Sequence, residues 1–516
     1  ILCFGHEGNL IASYTTQNSG LSNNVVLCMT ERDDHLWIGT DGGGIDILDP
    51  ESKEITVLER IPGNNYSLPV NSIYCLYNDA YDNMWAGSIR GGLISIREAS
   101  MKTYTDAMLG SDKGLSENAV ISLFQEPKSD IIWVGTDGGG INKFDTRTEK
   151  FTHYPQMWGS KIASICEFDQ KKLLLSLFTK GFFLFDKETG NLQPLNFADQ
   201  QLNQLMFYSG KTINLYKDTP GSILLMGDRI YRYTIATREL SPAIQNESGK
   251  IAKMYGTVLP IIFNSQVTYL HDLQNIYELD HSNDKLKKLF NCKGDTTFNC
   301  ISQDNNGIFW IGGKYGLSFY NPQTGQHQYV ATPSSGEINS VICDQRGKVW
   351  AGTDRMLFAW LINEKKFIIF GESDGVINNE YLAKSCLMST RGDVFLGGVK
   401  GLLHINRELP IEASEYPELQ LTDIMINGES VYNNLEVNPT AITVPWGSKS
   451  INIKIMSCEK DIFRQKIFRY QISGLNDQGI ESSNPELVIR SLPSGTYQIL
   501  ASCSTKDGGW TPKQKV

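Results

Sequence analysis

Apolar and polar residues alternate in short runs along most of the chain, and the runs end at Gly, Asn or Asp. Residues 24–29, 36–40, 44–49 and 54–58 each carry such a run. Alternation with period two marks a half-buried strand. Turn chemistry joins the runs: Glu31-Arg32-Asp33-Asp34 between the first two, then Asp41-Gly42-Gly43-Gly44. No helical period interrupts them. The pattern predicts one four-stranded antiparallel unit, strands A to D in chain order.

The unit recurs. Strand B reads Trp37-Ile38-Gly39-Thr40, Trp85-Ala86-Gly87-Ser88, Trp133-Val134-Gly135-Thr136, Trp310-Ile311-Gly312-Gly313, Trp350-Ala351-Gly352-Thr353 and Phe395-Leu396-Gly397-Gly398. Neighbouring copies lie about 40–48 residues apart, the spacing of four-stranded propeller blades. Three units at 173–186, 222–234 and 267–280 keep two apolar strands but have lost the Trp, around Leu174, Leu224 and Tyr269. Residues 1–16 read as the last two strands of a further unit. After residue 410 the repeat stops, and 409–417 reads as a linker. Runs at 419–426, 441–444, 450–456, 468–473, 487–490 and 495–503 then follow at sandwich spacing. The expected fold is all-β: a β-propeller followed by an immunoglobulin-like β-sandwich.

Composition narrows the function. The chain has 516 residues, 41% hydrophobic and 20% charged, which excludes a disordered chain. The net charge of −10 argues against a nucleic-acid partner. No run approaches a membrane span. The start, Ile1-Leu2-Cys3-Phe4, has no signal-peptide pattern and no Met, so a fragment or processed form is expected. Seven His are scattered, no CxxC or HExxH occurs, and neither metal nor cofactor is expected.

The repeat also accounts for residues that might suggest chemistry. One strand A position reads Cys28, Cys75, Ser122, Ser164, Cys300, Ser340 and Ser385. A site alternating between Ser and Cys wants a small buried side chain, so Cys28, Cys75 and Cys300 are expected to be packing residues. The Gly-rich turns at 39–44 and 135–140 precede strands rather than helices, which excludes a phosphate cradle. The Trp residues are expected to pack between blades, and Tyr470 and Tyr497 to lie in the sandwich core.

In a propeller, the B–C turns and D–A loops share one face. Aligning the turns places Arg90, Gly139, Lys180, Arg229, Tyr315, Arg355 and Lys400 at one position. Lys180, Arg229, Arg355 and Lys400 are therefore candidates for a cationic ring, with Lys314, Tyr315 and Trp158 beside it. Clustered cations attract anions, Arg binds carboxylate or sulfate bidentately, and aromatic faces suit sugar rings. This set is the candidate ligand-binding site, and an acidic oligosaccharide is the candidate ligand. The competing reading is that exposed turns simply favour Lys and Arg.

Trp37-Ile38-Gly39-Thr40, the Trp133–Gly140 run and Gly20-Leu21-Ser22-Asn23-Asn24-Val25 resemble the two-component regulator propeller repeat. Phe468-Arg469-Tyr470-Gln471-Ile472-Ser473-Gly474, Leu492-Pro493-Ser494-Gly495-Thr496-Tyr497 and Lys506-Asp507-Gly508-Gly509-Trp510 resemble the Y_Y_Y domain. The combination resembles the periplasmic sensor region of a Bacteroides-type hybrid two-component histidine kinase. The resemblance implies seven blades per propeller. That divides the chain into the last blades of a first propeller (1–100), a seven-bladed propeller (101–410) and a Y_Y_Y sandwich (411–516). It further implies a non-enzymatic region that binds a glycan-derived oligosaccharide. A homodimer formed through the Y_Y_Y domain, in a membrane-anchored parent, would then control polysaccharide-utilisation genes. The residues leave two other readings open: a propeller interaction scaffold, and a glycosidase or lyase using Asp137, Asp228 or Asp354. Recurrence of the Thr-Asp pair at Asp41, Asp137 and Asp354 points to turn chemistry instead.

Overall fold

The computed structural model describes the chain outside residues 62–66, 81–82, 98–100, 107–110, 196, 198–212, 265–266, 282, 293–296, 333–335, 355, 378, 410–416, 432–441, 459–465, 475, 491, 507–508 and 516. Among the described residues it is all-β, with two short 3-10 turns at Pro155–Met157 and Glu372–Asp374. The first unit read from the sequence forms one antiparallel sheet of Val26–Arg32, His35–Thr40, Ile45–Leu48 and Ile55–Leu58. Two compact units arise: residues 1–99, 416–503 and 512–516 in one, 100–415 and 504–511 in the other.

Among the described residues the larger unit holds seven such repeats, called blades one to seven here, of which the first two are joined in one eight-stranded sheet and the fourth has a fifth strand. Their inner strands are Val120–Gln125, Ser160–Glu167, Asn214–Thr219, Leu259–Asn264, Phe298–Gln303, Ser340–Cys343 and Tyr381–Met388. Blade seven takes its outermost strand, Met101–Tyr104, from the opposite end of the segment, paired with Gly401–Ile405. Hydrogen bonds pass from blade to blade. Ser122 donates to the Ile162 carbonyl at 2.6 Å, and the Leu215 amide donates to Ser164 at 3.0 Å. Asn214 donates to the Val258 carbonyl at 2.8 Å, and Ser385 to Val120 at 2.9 Å. The last of these bonds closes the ring.

The repeated motif has two physical causes. Its glycine makes room for the Ser/Cys position. A Cβ on Gly135 would stand 2.2 Å from Ser122 Oγ, and one on Gly312 would stand 2.8 Å from Cys300 Sγ. Its tryptophan anchors the A–B turn. The indole N–H of Trp310 donates to Asp304 at 2.9 Å, that of Trp350 to Asp344 at 3.1 Å, and that of Trp133 to Glu126 at 2.6 Å. Trp133, Trp310 and Trp350 are buried between blades, as their alternation predicts, while Trp37 and Trp85 are half-buried. In blade three, where Leu224 replaces the Trp, the equivalent Asp218 is paired with Arg232 instead.

Within the smaller unit, residues 2–13 form a hairpin and Ile73–Asn78, Met84–Ser88 and Gly92–Ile96 a three-stranded sheet. The sandwich consists of two four-stranded sheets closed over Ile453, Ile455, Tyr470, Leu487 and Ala501. Tyr470 is buried, and Tyr497 packs at the edge of this core. Two expectations need correction. No strand forms at 442–444, where Val444 packs on the core but Pro445 lacks the N–H a ladder needs. Cys75 is exposed, whereas Cys300 is buried and Cys28 half-buried. Cys28 faces the carbonyl of Ile73 on the next sheet at 3.9 Å, but among the described residues no sheet continues beyond Cys75. None of the ten cysteines is in a disulfide.

Candidate ligand-binding cavity

Inner strands aim residues at the ring axis through bulges. In blade one Val120 pairs with Thr136 and Ser122 with Gly135, so Ile121 faces no partner. Ala163 in blade two and Asn299 in blade five are left over in the same way. A bulge re-aims the side chain it leaves unpaired. Blade seven has a longer one. Tyr381 pairs with Gly398 and Cys386 with Leu396, while a Cβ on Gly397 would meet Ser385 Cβ at 2.7 Å. Leu382, Ala383 and Lys384 are all left over. These bulges and the adjoining turns line a cavity of about 810 Å³.

The cavity opens on the face of the B–C turns. Asp137, Phe178 and Asp354 reach it from those turns, and Glu337 and Glu380 from the loops entering inner strands. Lys161 Nζ lies 2.6 Å from Asp137 Oδ1 and 5.9 Å from the centre of the Phe178 ring. Asn299 donates to Glu337 at 2.8 Å. Lys384 is half-buried, and burial pushes its amine down to about 8. The lining thus combines hydroxyl-binding carboxylates and amides with the rings of Phe178 and Tyr381, an apolar wall and two amines. Recognition sites for small polar ligands are built from such sets.

The residues expected from the turn alignment fall elsewhere. Lys180, Arg229, Lys314 and Lys400 are exposed, with Trp158 and Tyr315 at 48% and 56% exposure. Lys314 Nζ lies 5.8 Å from the centre of the Tyr315 ring. None of these six belongs to the cavity lining, and Arg355 lies outside the described residues. Asp137, Phe178 and Asp354 stand two places after the strand B position of Gly135, Ser176 and Gly352. The cations stand later in the turn. Lys384 was missed altogether, although its signal is in the spacing. Asn24, Asn71 and Asn118 precede Cys28, Cys75 and Ser122 by four residues, whereas Asn379 precedes Ser385 by six.

Comparison with known proteins agrees with this fold. Residues 20–42 and 67–90 match the two component regulator propeller family, and residues 459–516 match the Y_Y_Y domain. "Histidine kinase P4" of Formosa agariphila is 24% identical over 433 residues, which cover 78% of this chain and 31% of that protein. The chain therefore spans about a third of the length of this curated relative. The structure described as the extracellular domain of the hybrid two component system BT3049 from B. thetaiotaomicron superposes with a TM-score of 0.75 at 19% identity. That match covers 100% of this chain and 69% of the other. The propeller-plus-sandwich fold and the two-component resemblance read from the sequence are borne out.

Proposed function

We propose that this chain, which carries two component regulator propeller repeats and a Y_Y_Y domain, is the extracytoplasmic ligand-sensing region of a two-component sensor. Its ligand is a glycan-derived oligosaccharide seated in the central cavity of the seven-bladed ring. The observation that supports this is the lining: carboxylates and amides suited to hydroxyl groups, beside the exposed face of Phe178. The parent protein, a membrane-anchored periplasmic sensor with a kinase, pairs through its sandwich domains and controls polysaccharide-utilisation genes. A ligand shifts such a pair only by binding its two states with different affinity.

Calorimetry with a panel of oligosaccharides tests the reading. The chain binds at least one of them without turning it over, and Phe178→Ala and Asp354→Asn each weaken binding about tenfold or more. Unchanged affinity in both variants would move the ligand out of the cavity. Product release from a polysaccharide would instead favour a glycosidase or lyase. A second reading rests on the exposed cations of the turn face, Lys180, Arg229, Lys314 and Lys400, flanked by Trp158 and Tyr315. There an acidic oligosaccharide binds across the rim. Arg229→Ala and Lys400→Ala then lose binding while Asp354→Asn keeps it.

A further inference from the structure

Three aromatic side chains stand exposed on the turn face beside the cavity: Trp158, Phe178 and Tyr255. Phe178 already belongs to the lining. Trp158 and Tyr255 stand in the loops that lead into the inner strands of blades two and four, Ser160–Glu167 and Leu259–Asn264. Trp158 lies three residues before Lys161 and Tyr255 two before Thr257, and both of those residues line the cavity. Three residues of chain span at most about 11 Å, so Trp158 stands beside the cavity edge.

The edge is uneven around the ring. Among the described residues, the lining carboxylates Glu337, Asp354 and Glu380 gather between the entry of blade six and that of blade seven. The exposed rings of Trp158, Phe178 and Tyr255 gather between the entry of blade two and that of blade four. Tyr315 lies outside this arc, in blade five, with the Lys314 amine 5.8 Å from the centre of its ring. Exposed apolar surface clustered beside a pocket marks a binding surface.

Backbone contacts hold Trp158 in place. The 3-10 turn Pro155–Met157 precedes it, its amide donates to the Pro155 carbonyl at 3.1 Å, and Met157 is buried. Gly159 follows with a φ of +78° and donates to the Gly138 carbonyl at 2.7 Å. That bond ties the loop to the turn carrying Asp137, whose carboxylate is 2.6 Å from Lys161 Nζ. The Lys161 carbonyl accepts the Phe178 amide at 3.0 Å, and the Lys161 amine lies 5.9 Å from the centre of the Phe178 ring. Trp158, the Asp137–Lys161 pair and Phe178 thus form one hydrogen-bonded ledge running from the turn face into the cavity.

We propose that Trp158 is an outer subsite of the cavity. A saccharide chain too long to fit inside leaves over Phe178 and stacks a further sugar ring on the indole. The C–H face of a pyranose is apolar and covers an indole as another ring does. The ligand class is then an oligosaccharide longer than the cavity. A volume of about 810 Å³ encloses a drug-sized ligand, roughly two or three sugar residues. The loop is fixed before the ligand arrives, so little ordering cost offsets the contact. This rests on the reading of the cavity as an oligosaccharide site and names the length class it takes.

The test is calorimetry of the full chain with gluco-, xylo-, manno- and uronate oligosaccharides, each graded from disaccharide to hexasaccharide. In the series that binds, affinity rises with length, and the outer contact supplies about threefold to tenfold of that rise. Trp158→Ala removes this gain and leaves the disaccharide affinity unchanged, Trp158→Phe keeps part of it, and Phe178→Ala weakens every length. Acrylamide quenching of the native tryptophan fluorescence falls on adding hexasaccharide. The fall is absent with disaccharide and in Trp158→Phe. A gain that survives Trp158→Ala, including one lost in Tyr255→Ala instead, overturns the outer subsite and leaves the cavity reading intact. So does a loss in Trp158→Ala that is equal at all lengths. No binding by any probe overturns both.

Discussion

The hydroxyl of Ser385 donates to the carbonyl of Val120, 2.9 Å away, and so joins the inner strand of the last blade to that of the first. Both groups are buried, so losing the hydroxyl leaves a carbonyl without this partner. Ser385→Ala lowers stability by about 1 kcal/mol, and Ser385→Cys by less, since Cys300 occupies the equivalent place in blade five. Gly397→Ala is worse. Its Cβ would stand 2.6 Å from Val120 and 2.7 Å from Ser385, an overpacking that costs about 1–3 kcal/mol. Urea unfolding of the three variants checks the order.

Trp310 does more than fill space. Its indole N–H donates to one oxygen of Asp304, whose other oxygen accepts the amides of Asn306 and Ile308 at 2.9 and 3.0 Å. Trp310→Phe keeps most of the ring burial but removes a donor from a buried carboxylate, a loss of about 1–3 kcal/mol. Trp310→Phe in an Asp304→Asn background costs less, because a neutral amide tolerates the lost donor better. Equal costs in the two backgrounds would mean that packing alone sets the role of the Trp.

The repeat was legible because each of its rules is local. A small residue on strand A needs Gly on strand B, and an indole needs a carboxylate six or seven residues earlier, as Asp304 and Glu126 supply. Those constraints leave a period that no tertiary knowledge is required to see. Exposure of Cys75 was not legible, since it depends on which sheet lies beyond it. The cavity was only half legible. The turns contribute Asp137, Phe178 and Asp354 to the lining, yet the cations of Lys180 and Lys400 sit one or two positions past the equivalent place. The bulge at Lys384 left a spacing signal, but its meaning depends on Ser385 reaching across to Val120.

Blade three carries a buried ionic substitute for the missing indole. The Asp218 side chain is fully buried and paired with Arg232, which also lies 2.6 Å from Asp284 and donates to Ser222 at 2.9 Å. Arg232→Met strands the Asp218 charge and costs about 3–5 kcal/mol. The double variant Arg232→Met with Asp218→Leu regains most of that loss, because removing both charges also removes their desolvation. Thermal unfolding of the single and double variants measures the coupling, and additive losses would mean the pair is electrostatically idle.

Burial makes the contribution of Lys384 to stability depend on pH. Its amine titrates at about 8 in the folded chain against an ordinary 10.5, because burial disfavours the charged form. Below pH 8 both states hold the proton, and the folded state bears the full cost of a poorly hydrated ammonium. Between pH 8 and 10.5 the unfolded chain binds more protons than the folded one, so stability attributable to this residue rises with pH. Lys384→Met removes the charge, and the variant is more stable than the native chain at pH 7 by about 1–3 kcal/mol. The gap narrows steadily as pH rises through 8 to 10.5. Groups that titrate alike in both proteins cancel in the difference, so paired urea titrations at pH 7, 9 and 10 isolate this one amine. A gap that stays constant over that range would show that Lys384 keeps its hydration in the cavity.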